Sequence, residues 1–353
     1  MNWAVLIAKR ILECKQAITA EVIATDYSRR PELMFRYGER GRMLYKRDND
    51  YHLDFLAEAI GHDEPALFVD YIAWVKSMLI ARGVRVEDLV ENLLLLKTVI
   101  MQQLIDDEAT TAIVPIEAAL AHLPRLPESP PDFISVETSL GRLTQDYLNY
   151  LLQGNRREAV QLIDQALAAG VPLKQIYLDV FQRSQREIGR LWQMNRITVA
   201  QEHFCTAATM TIMNQFYRSI LEVPKTGLRA AALCVAGDLH EIGVRIVADF
   251  FDLAGWDCDY YGANTPSKDL LATLEQHPPD IIALSATMTY HVTAVGDLIE
   301  KLRKQPLLKK IPVIVGGRPF LVADRLWRSV GADGWAIDAE SAVSKATELV
   351  KRN

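Results

Sequence analysis

A loop that carries an aspartate and a histidine places the strongest constraint on how this chain can fold. Asp238 and His240 follow a short apolar run at 230–235, and Gly243 lies inside an amphipathic pattern at 241–253. An apolar run, a short loop and an amphipathic segment predict a strand–loop–helix unit of a parallel sheet. Ligands bind at such loops in open α/β sheets. An imidazole with a carboxylate two residues earlier is suited to bind a metal, because the carboxylate can hold the second ring nitrogen.

The sequence after residue 228 alternates between strand and helix patterns five times. The alternation predicts a doubly wound, flavodoxin- or Rossmann-like parallel sheet of five strands. Its strands are predicted at 229–235, 257–261, 280–285, 311–315 and 334–337. The preceding region repeats apolar residues every three or four positions, which predicts a four-helix bundle. The bundle helices are predicted at 134–153, 156–169, 172–193 and 197–222.

Proline and glycine divide the chain of 353 residues into parts. The proline-rich stretch at 124–133 cannot continue a helix and is predicted to be a linker. A second break at 223–227 precedes the first strand. The predicted organisation is a helical module at 1–123, the linker at 124–133, a four-helix bundle at 134–222 and a Rossmann-like domain at 228–353.

Composition points to a protein of the cytoplasm. No apolar run in the sequence approaches the length of a membrane span, so we expect no contact with a membrane. The start of the chain carries charged residues inside an amphipathic pattern, which is not typical of a signal peptide. The four cysteines have no spacing typical of a metal site, which is consistent with a reducing compartment.

Three short motifs occur in a fixed order after residue 228, separated by 41 and 28 residues: Asp238-x-His240-x-x-Gly243, Ser285-x-Thr287 and Gly316-Gly317. Their order and spacing resemble the cobalamin-binding domain of corrinoid proteins. The resemblance implies that His240 is the lower ligand of cobalt and displaces the dimethylbenzimidazole base. Asp238 would then hold the other ring nitrogen of His240, and Ser285 would extend this hydrogen-bond chain.

The remaining motif residues are assigned to the nucleotide tail of the cofactor by the same resemblance. Gly243 would permit close packing of its helix beside the tail. Gly316 and Gly317 would leave room where the tail passes, and Thr287 would line the tail cavity.

The bundle carries a motif of its own. Trp192 is followed by nine residues and then by Glu202 and His203. This spacing resembles the bundle of adenosylcobalamin-dependent photoreceptor regulators, and the whole resemblance covers about residues 135–350. It implies that Trp192 packs against the adenosyl group and that Glu202 accepts hydrogen bonds from it. Gln193 stands where the best-known light-sensing relatives have the histidine that binds cobalt after photolysis, so His203, water or hydroxide would have to take that position.

The predicted function is therefore that of an adenosylcobalamin-binding photoreceptor in signal transduction, without enzymatic turnover. Light would break the cobalt–carbon bond and change the contacts of a homo-oligomer, a dimer or a tetramer, or those of a separate downstream effector protein. The alternative is a corrinoid methyl carrier of a methyltransferase system, which has no need of the Trp192 motif. A third interpretation is a scaffold that has lost the cofactor.

The N-terminal module has no motif of comparable specificity. Residues 1–131 hold 15 Lys and Arg against 20 Asp and Glu, a net charge of −5, so we expect no direct DNA binding. A run at 27–47 interleaves arginines with tyrosines, and nearby acidic residues favour a solvated, balanced surface. The alternative at this run is a site for an acidic partner or for an anionic cofactor, such as the bilin chromophore that a branch of cobalamin photoreceptors adds.

Overall fold

The computed structural model describes residues 3–352, and for Arg352 it describes the backbone only. Met1, Asn2 and Asn353, which end two of the predicted domains, lie outside the described residues. The chain forms two compact units. The first contains the residues up to Glu128 together with Thr287–Asp297 and Arg318–Gly331. The second contains Ser129–Ala286, Leu298–Gly317 and the residues from Ala332 onward.

The N-terminal part of the first unit is entirely helical, as predicted. Its helices are α1 (Trp3–Arg29), α2 (Glu32–Gly61), α3 (Pro65–Ile80), α4 (Val86–Gln103) and α5 (Asp106–His122). Ile7, Ile11 and Ile18 of α1 are fully buried, at the spacing that places side chains on one helix face. Pro65 occupies the first turn of α3, where its missing N–H is not needed.

The arginine and tyrosine run at 27–47 is bound to acidic side chains of the same module. Arg30 donates two hydrogen bonds to Asp26 and one to Asp88. Tyr45 donates to Asp26, and Tyr37 donates to Asp88. These pairs satisfy buried charges inside the helical module, so the run has a structural use.

The bundle of the second unit contains four long helical segments. They are α6 (Ser139–Leu152), α7 (Arg156–Ala168), a composite helix and α10 (Val199–Met213). The composite helix runs through α8 (Leu173–Gln175), a π-helical segment (Ile176–Gln182) and α9 (Arg183–Gln193). A 3₁₀ turn (Asn214–Phe216) and α11 (Tyr217–Leu221) follow α10. Tyr147, Tyr177 and Phe181 fill the bundle core and are fully buried.

Five parallel strands form the sheet of the second unit, as predicted. They are β1 (Arg229–Cys234), β2 (Asp257–Gly262), β3 (Ile281–Ser285), β4 (Val313–Gly316) and β5 (Gly334–Trp335). The strand order is β2-β1-β3-β4-β5, which is the flavodoxin-like order. The chain runs from β1 to β2 at one edge of the sheet and from β3 to β4 toward the other edge. The carboxyl ends of β1 and β3 therefore define the crevice where ligands bind in such sheets.

Six helices accompany the strands. They are α12 (Ile242–Leu253), α13 (Ser267–Gln276), α14 (Val292–Lys304), α15 (Arg318–Val322), α16 (Leu326–Ser329) and α17 (Ala339–Arg352). The bundle packs on α12 inside the second unit, where the Tyr177 hydroxyl donates a 2.7 Å hydrogen bond to Asp249. None of the helices that the structure describes between residues 3 and 352 has the length and apolar character needed to cross a membrane. The boundaries of the four predicted domains stay predictions.

Candidate functional site

The loop that contains Asp238 and His240 leaves the carboxyl end of β1, at the crevice that the strand order defines. Cys234 at the end of β1 pairs in register with Ser285 at the end of β3. The amide of Val235 donates a 3.2 Å hydrogen bond to the carbonyl of Ser285. The strand that leads into the first motif therefore pairs with the first residue of the second motif, at the edge where a ligand is expected.

Asp238 fixes the orientation of His240. The Asp238 side chain is fully buried, and its Oδ1 accepts a 3.0 Å hydrogen bond from the His240 amide and a 2.8 Å hydrogen bond from the His240 ring at Nδ1. An ionised carboxylate only accepts, so Nδ1 carries the proton and Nε2 keeps its lone pair. The His240 side chain is 55% exposed, which leaves Nε2 accessible to a metal.

The electrostatics of His240 connect this loop to the bundle motif. The hydrogen bond to Asp238 raises the pKa of His240, burial opposes this shift, and the charges of Asp238 and Glu202 raise the pKa further. Glu202 lies on α10 in the same unit, so this bundle helix is close enough to the His240 loop for its charge to act on the imidazole. A raised pKa favours the imidazolium form, in which Nε2 also carries a proton. A metal therefore binds Nε2 more tightly as the pH rises and that proton is lost.

Two residues that the sequence analysis missed brace the loop from the end of β2. The Asn264 side chain accepts a 2.8 Å hydrogen bond from the amide of Gly237, and the Asn264 amide donates a 3.1 Å bond to the carbonyl of Asp238. The Tyr260 hydroxyl donates a 2.9 Å bond to the Glu241 carboxylate. Asn264 has a positive φ of 51°, a conformation that asparagine tolerates in turns. An asparagine two residues after a strand glycine is the signal by which this brace could have been predicted.

A cysteine lies directly beneath the loop. The Cys234 thiol donates a 3.6 Å hydrogen bond to the carbonyl of His240. Burial raises the pKa of Cys234 to about 12, with smaller contributions from Asp238 and Glu241. The thiol therefore stays protonated at neutral pH and is not suited to act as a nucleophile or a metal ligand.

The glycine motifs differ in what surrounds them. A Cβ atom on Gly317, whose φ is 105°, would lie 2.0 Å from the carbonyl oxygen of Ala286. The amide of Ala286 also donates a 3.1 Å hydrogen bond to Gly316, so the Ser285 and glycine motifs touch through their backbones. A Cβ atom on Gly243 would meet nothing within 4 Å, which leaves open space beside the start of α12.

The bundle motif lies on two consecutive helices. Trp192 is half-buried at the end of α9, and Gln193 beside it is buried. The Glu202 carboxylate is hydrogen-bonded to the ring of His203 and accepts a 3.2 Å bond from the Thr206 hydroxyl. His203 itself is 75% exposed. Thr198 and Gln201 form a reciprocal cap that sets where α10 begins.

The donor set fits a corrinoid. Among residues 3–352, no group of three or more His, Cys, Asp or Glu side chains is placed to hold a metal ion alone. A corrin ring supplies four nitrogens to its cobalt, so the protein needs to provide only one axial imidazole. His240 meets that need with its tautomer held by a buried carboxylate. The predicted hydrogen bond from Ser285 to this pair stays a prediction, as does the position of Thr287 in a tail cavity.

Fold and site together define a protein with a flavodoxin-like sheet, a helical bundle packed on it and a histidine, His240, whose ring is oriented by a buried carboxylate. Models of the B12 binding domain match this chain at residues 228–346 and at residues 143–217. Two relatives, "Dimethylamine corrinoid protein 3" of Methanosarcina acetivorans and of Methanosarcina mazei, are each 36% identical over 117 residues. These residues are 33% of this chain; they span about half (54%) of the M. acetivorans protein and 68% of the M. mazei protein. The chain belongs to the family of B12-binding corrinoid proteins.

A solved structure supports the fold over a longer stretch. The monomethylamine corrinoid protein of Methanosarcina barkeri superposes with a TM-score of 0.53 at 23% identity, covering 59% of this chain and 98% of that chain. The superposition agrees with the predicted combination of helical bundle and parallel sheet.

The predicted light-sensing function is wrong. The relatives are named dimethylamine corrinoid proteins, which favours the methyl-carrier alternative. Corrinoid binding is supported by the family matches, whereas neither the adenosyl group nor a bilin finds support in them. The prediction of an adenosyl group has a physical reason for its failure. The Glu202 carboxylate bonds His203 and Thr206 of its own helix, so a glutamate and a histidine at this spacing do not by themselves identify a ligand. The oligomeric state stays a prediction.

Proposed function

We propose that this protein is a corrinoid methyl carrier of a methyltransferase system. The observation that carries the proposal is the Asp238-held imidazole of His240 at the β1–β3 crevice, in a chain whose relatives are named for methylamines. The cobalt of the bound corrinoid supplies the atom that takes up and releases the methyl group. The partner is a separate methyltransferase protein, and the carrier itself has no turnover.

Each residue of the site has a defined task in this proposal. His240 would bind the cobalt through Nε2, and Asp238 keeps the proton on Nδ1 and orients the ring. Asn264 keeps the loop backbone in place. Ser285, Thr287 and the glycine motifs receive the nucleotide tail.

The bundle residues Trp192, Glu202 and His203 would hold the cofactor from the side of the bundle in this proposal. A methyl group on the cobalt would fill little of the space there. The exposed position of His203 leaves this side approachable by a partner protein. The Glu202 carboxylate is held by Thr206 and His203, so its oxygens are fixed as acceptors on this side.

Affinity for two cofactor forms tests the proposal. Purified protein is titrated in the dark with methylcobalamin and with adenosylcobalamin, and binding is followed by absorbance. A methyl carrier is expected to bind methylcobalamin at least as tightly as adenosylcobalamin, with the spectrum of histidine ligation. Binding of adenosylcobalamin alone would overturn the methyl-carrier proposal. His240→Ala is the control, and we expect it to lose the histidine-ligated spectrum for both forms.

A further inference from the structure

Two helices of the N-terminal module contact the segments that follow two of the corrinoid motifs. One segment, Thr287–Asp297, begins with the last residue of the Ser285-x-Thr287 motif. The other, Arg318–Gly331, follows Gly317 directly in the chain. Both segments belong to the same compact unit as α2 and α3. The chain thus runs from each motif straight into a stretch held by this module.

The carboxylate of Glu58 on α2 caps the helix that follows the first of these motifs. It accepts a 3.1 Å hydrogen bond from the Thr293 amide and a 2.8 Å bond from the Thr293 hydroxyl. Thr293 lies in the first turn of α14, where amides have no partner within their own helix. A negative charge at that end of a helix is also favoured by the helix dipole. The start of α14 is therefore fixed by a residue more than two hundred positions earlier.

An ion pair holds the segment after the glycine motif. Asp70 on α3 accepts hydrogen bonds of 2.9 and 2.5 Å from the Nε and an Nη atom of Arg318. Two parallel bonds fix the direction of the guanidinium group as well as its distance. His62, which follows α2, makes a 2.9 Å hydrogen bond to Ser329 farther along the same segment.

Aromatic side chains complete the contact. The Tyr290 ring stacks on Tyr51 with a centroid distance of 6.3 Å and meets the edge of Phe55 at 5.3 Å. Phe55 is buried and stacks on Tyr71 of α3 at 3.7 Å. Tyr290 is three residues from Thr287, so the first segment is held by both apolar and polar contacts.

We propose that Glu58 and Asp70 are positioning residues for the corrinoid site. They hold the two segments so that the Ser285-x-Thr287 and glycine motifs are arranged for the nucleotide tail before it binds. This inference rests on the corrinoid site of the proposed function. A site held in its bound arrangement loses less freedom on binding, which raises affinity. The coupling is reciprocal, so bound corrinoid also tightens the hold of α2 and α3 on both segments.

A charge exchange across the Asp70–Arg318 pair tests the inference. Hydroxocobalamin affinity is measured by absorbance for the full chain, for Asp70→Arg, for Arg318→Asp and for the double variant. We expect each single variant to bind roughly 2–5-fold more weakly, the range that corresponds to the contribution of a partly exposed ion pair. The double variant restores the pair in the opposite sense, and its affinity is expected to return to that of wild type.

A second ion pair in the same module is the matched control. Lys97 of α4 and Glu117 of α5 are 2.6 Å apart, and their hydrogen bond joins two other helices of the module. The single variants Lys97→Glu and Glu117→Lys and the double variant that combines them are expected to bind cobalamin with unchanged affinity. Thermal unfolding is recorded for every variant, because exposed ion pairs contribute little to stability.

Three results would count against these assignments in different ways. Wild-type affinity in both single variants of the Asp70–Arg318 pair would overturn the inference and leave the proposed function intact. A double variant as weak as the single variants would also overturn it, since the pair itself would then be irrelevant. A wild-type protein that binds no cobalamin would overturn the proposed function and the inference with it.

The reciprocal effect gives a readout that a purely structural role would not move. Hydrogen exchange of the Thr293 amide is compared with and without hydroxocobalamin. We expect bound cobalamin to slow this exchange in wild type and to slow it much less in Glu58→Gln. Equal protection in both proteins would remove Glu58 from the inference.

Discussion

The replacement Asp238→Asn isolates the charge of the carboxylate that orients His240. Asparagine has nearly the same volume and keeps an oxygen at the position that accepts bonds of 3.0 and 2.8 Å from His240. Hydrogen bonds to a charged group contribute about 1.5–3 kcal/mol and neutral ones about 0.5–1.5 kcal/mol. The loss on the ring bond is thus about 1–1.5 kcal/mol, which corresponds to roughly a tenfold weaker binding of cobalamin.

The graded series sharpens this prediction. Asp238→Ala removes both bonds, so its affinity is expected to fall toward the upper end of the roughly 10–100-fold range for residues that orient a metal ligand. The assay is an absorbance titration with hydroxocobalamin at constant pH, together with thermal unfolding. Asp280→Asn is the control, because Asp280 also accepts a backbone hydrogen bond, 2.7 Å from the amide of Arg229 at the start of β1. Equal affinity in Asp238→Asn and wild type, or an equal loss in the control, would refute the assigned role of the buried carboxylate.

Two further predictions concern stability. Gly317→Ala places a side chain 2.0 Å from the Ala286 carbonyl at a φ of 105°, so we expect a loss of about 1–3 kcal/mol in unfolding free energy, whereas Gly243→Ala, with open space around it, is expected to unfold like wild type. A calorimetric comparison of the two variants checks this, and equal melting temperatures would contradict the close approach. Burial lowers the pKa of His52 from 6.5 to about 4. Between these two values the unfolded chain binds more protons than the folded protein, so the unfolding free energy falls as the pH falls through this window. The total loss is about 3 kcal/mol. Urea unfolding from pH 7 to pH 4 measures the loss, and His52→Phe is expected to flatten it; an unchanged pH profile in that variant would remove His52 as the cause.

Most of the fold followed from local pattern, and the exceptions have identifiable causes. Strands such as β1 and β3 are buried on both faces, so their apolar runs stand out from the helices around them. The fifth strand is shorter than predicted, two residues instead of four, since Gly334 and Trp335 are its only paired positions in the described sheet. The π-helical segment within the long bundle helix has no sequence signal, because its residues are as helix-compatible as their neighbours.

The sequence patterns did not predict contacts between residues that are distant in the sequence. Asn264 braces the His240 loop from another strand, and Glu58 caps a helix that begins at Val292. Neither residue differs in type from a surface polar residue, so its task emerges only when the chain is folded. The arginine and tyrosine run was ambiguous for the same reason until Asp26 and Asp88 were seen to bind it.

The Asp238–Gly243 loop and the bundle motif differ in how closely their residue types are tied to one function. This difference explains why the prediction of corrinoid binding is supported by the family matches, whereas the prediction of light sensing is wrong. In the Asp238–Gly243 loop each residue type meets a separate geometric demand: a buried acceptor, an imidazole held by it and an open start of α12. The family matches support corrinoid binding, and the role of His240 as the cobalt ligand stays a prediction. In the bundle motif, Glu202 is bonded to its own helix, and an indole that is half-buried at a helix end is common in bundle cores. Such residues are compatible with a large or a small group on the cobalt of a corrinoid. The size of that group therefore has to be decided by measuring affinity for methylcobalamin against adenosylcobalamin, because the bundle motif does not encode it.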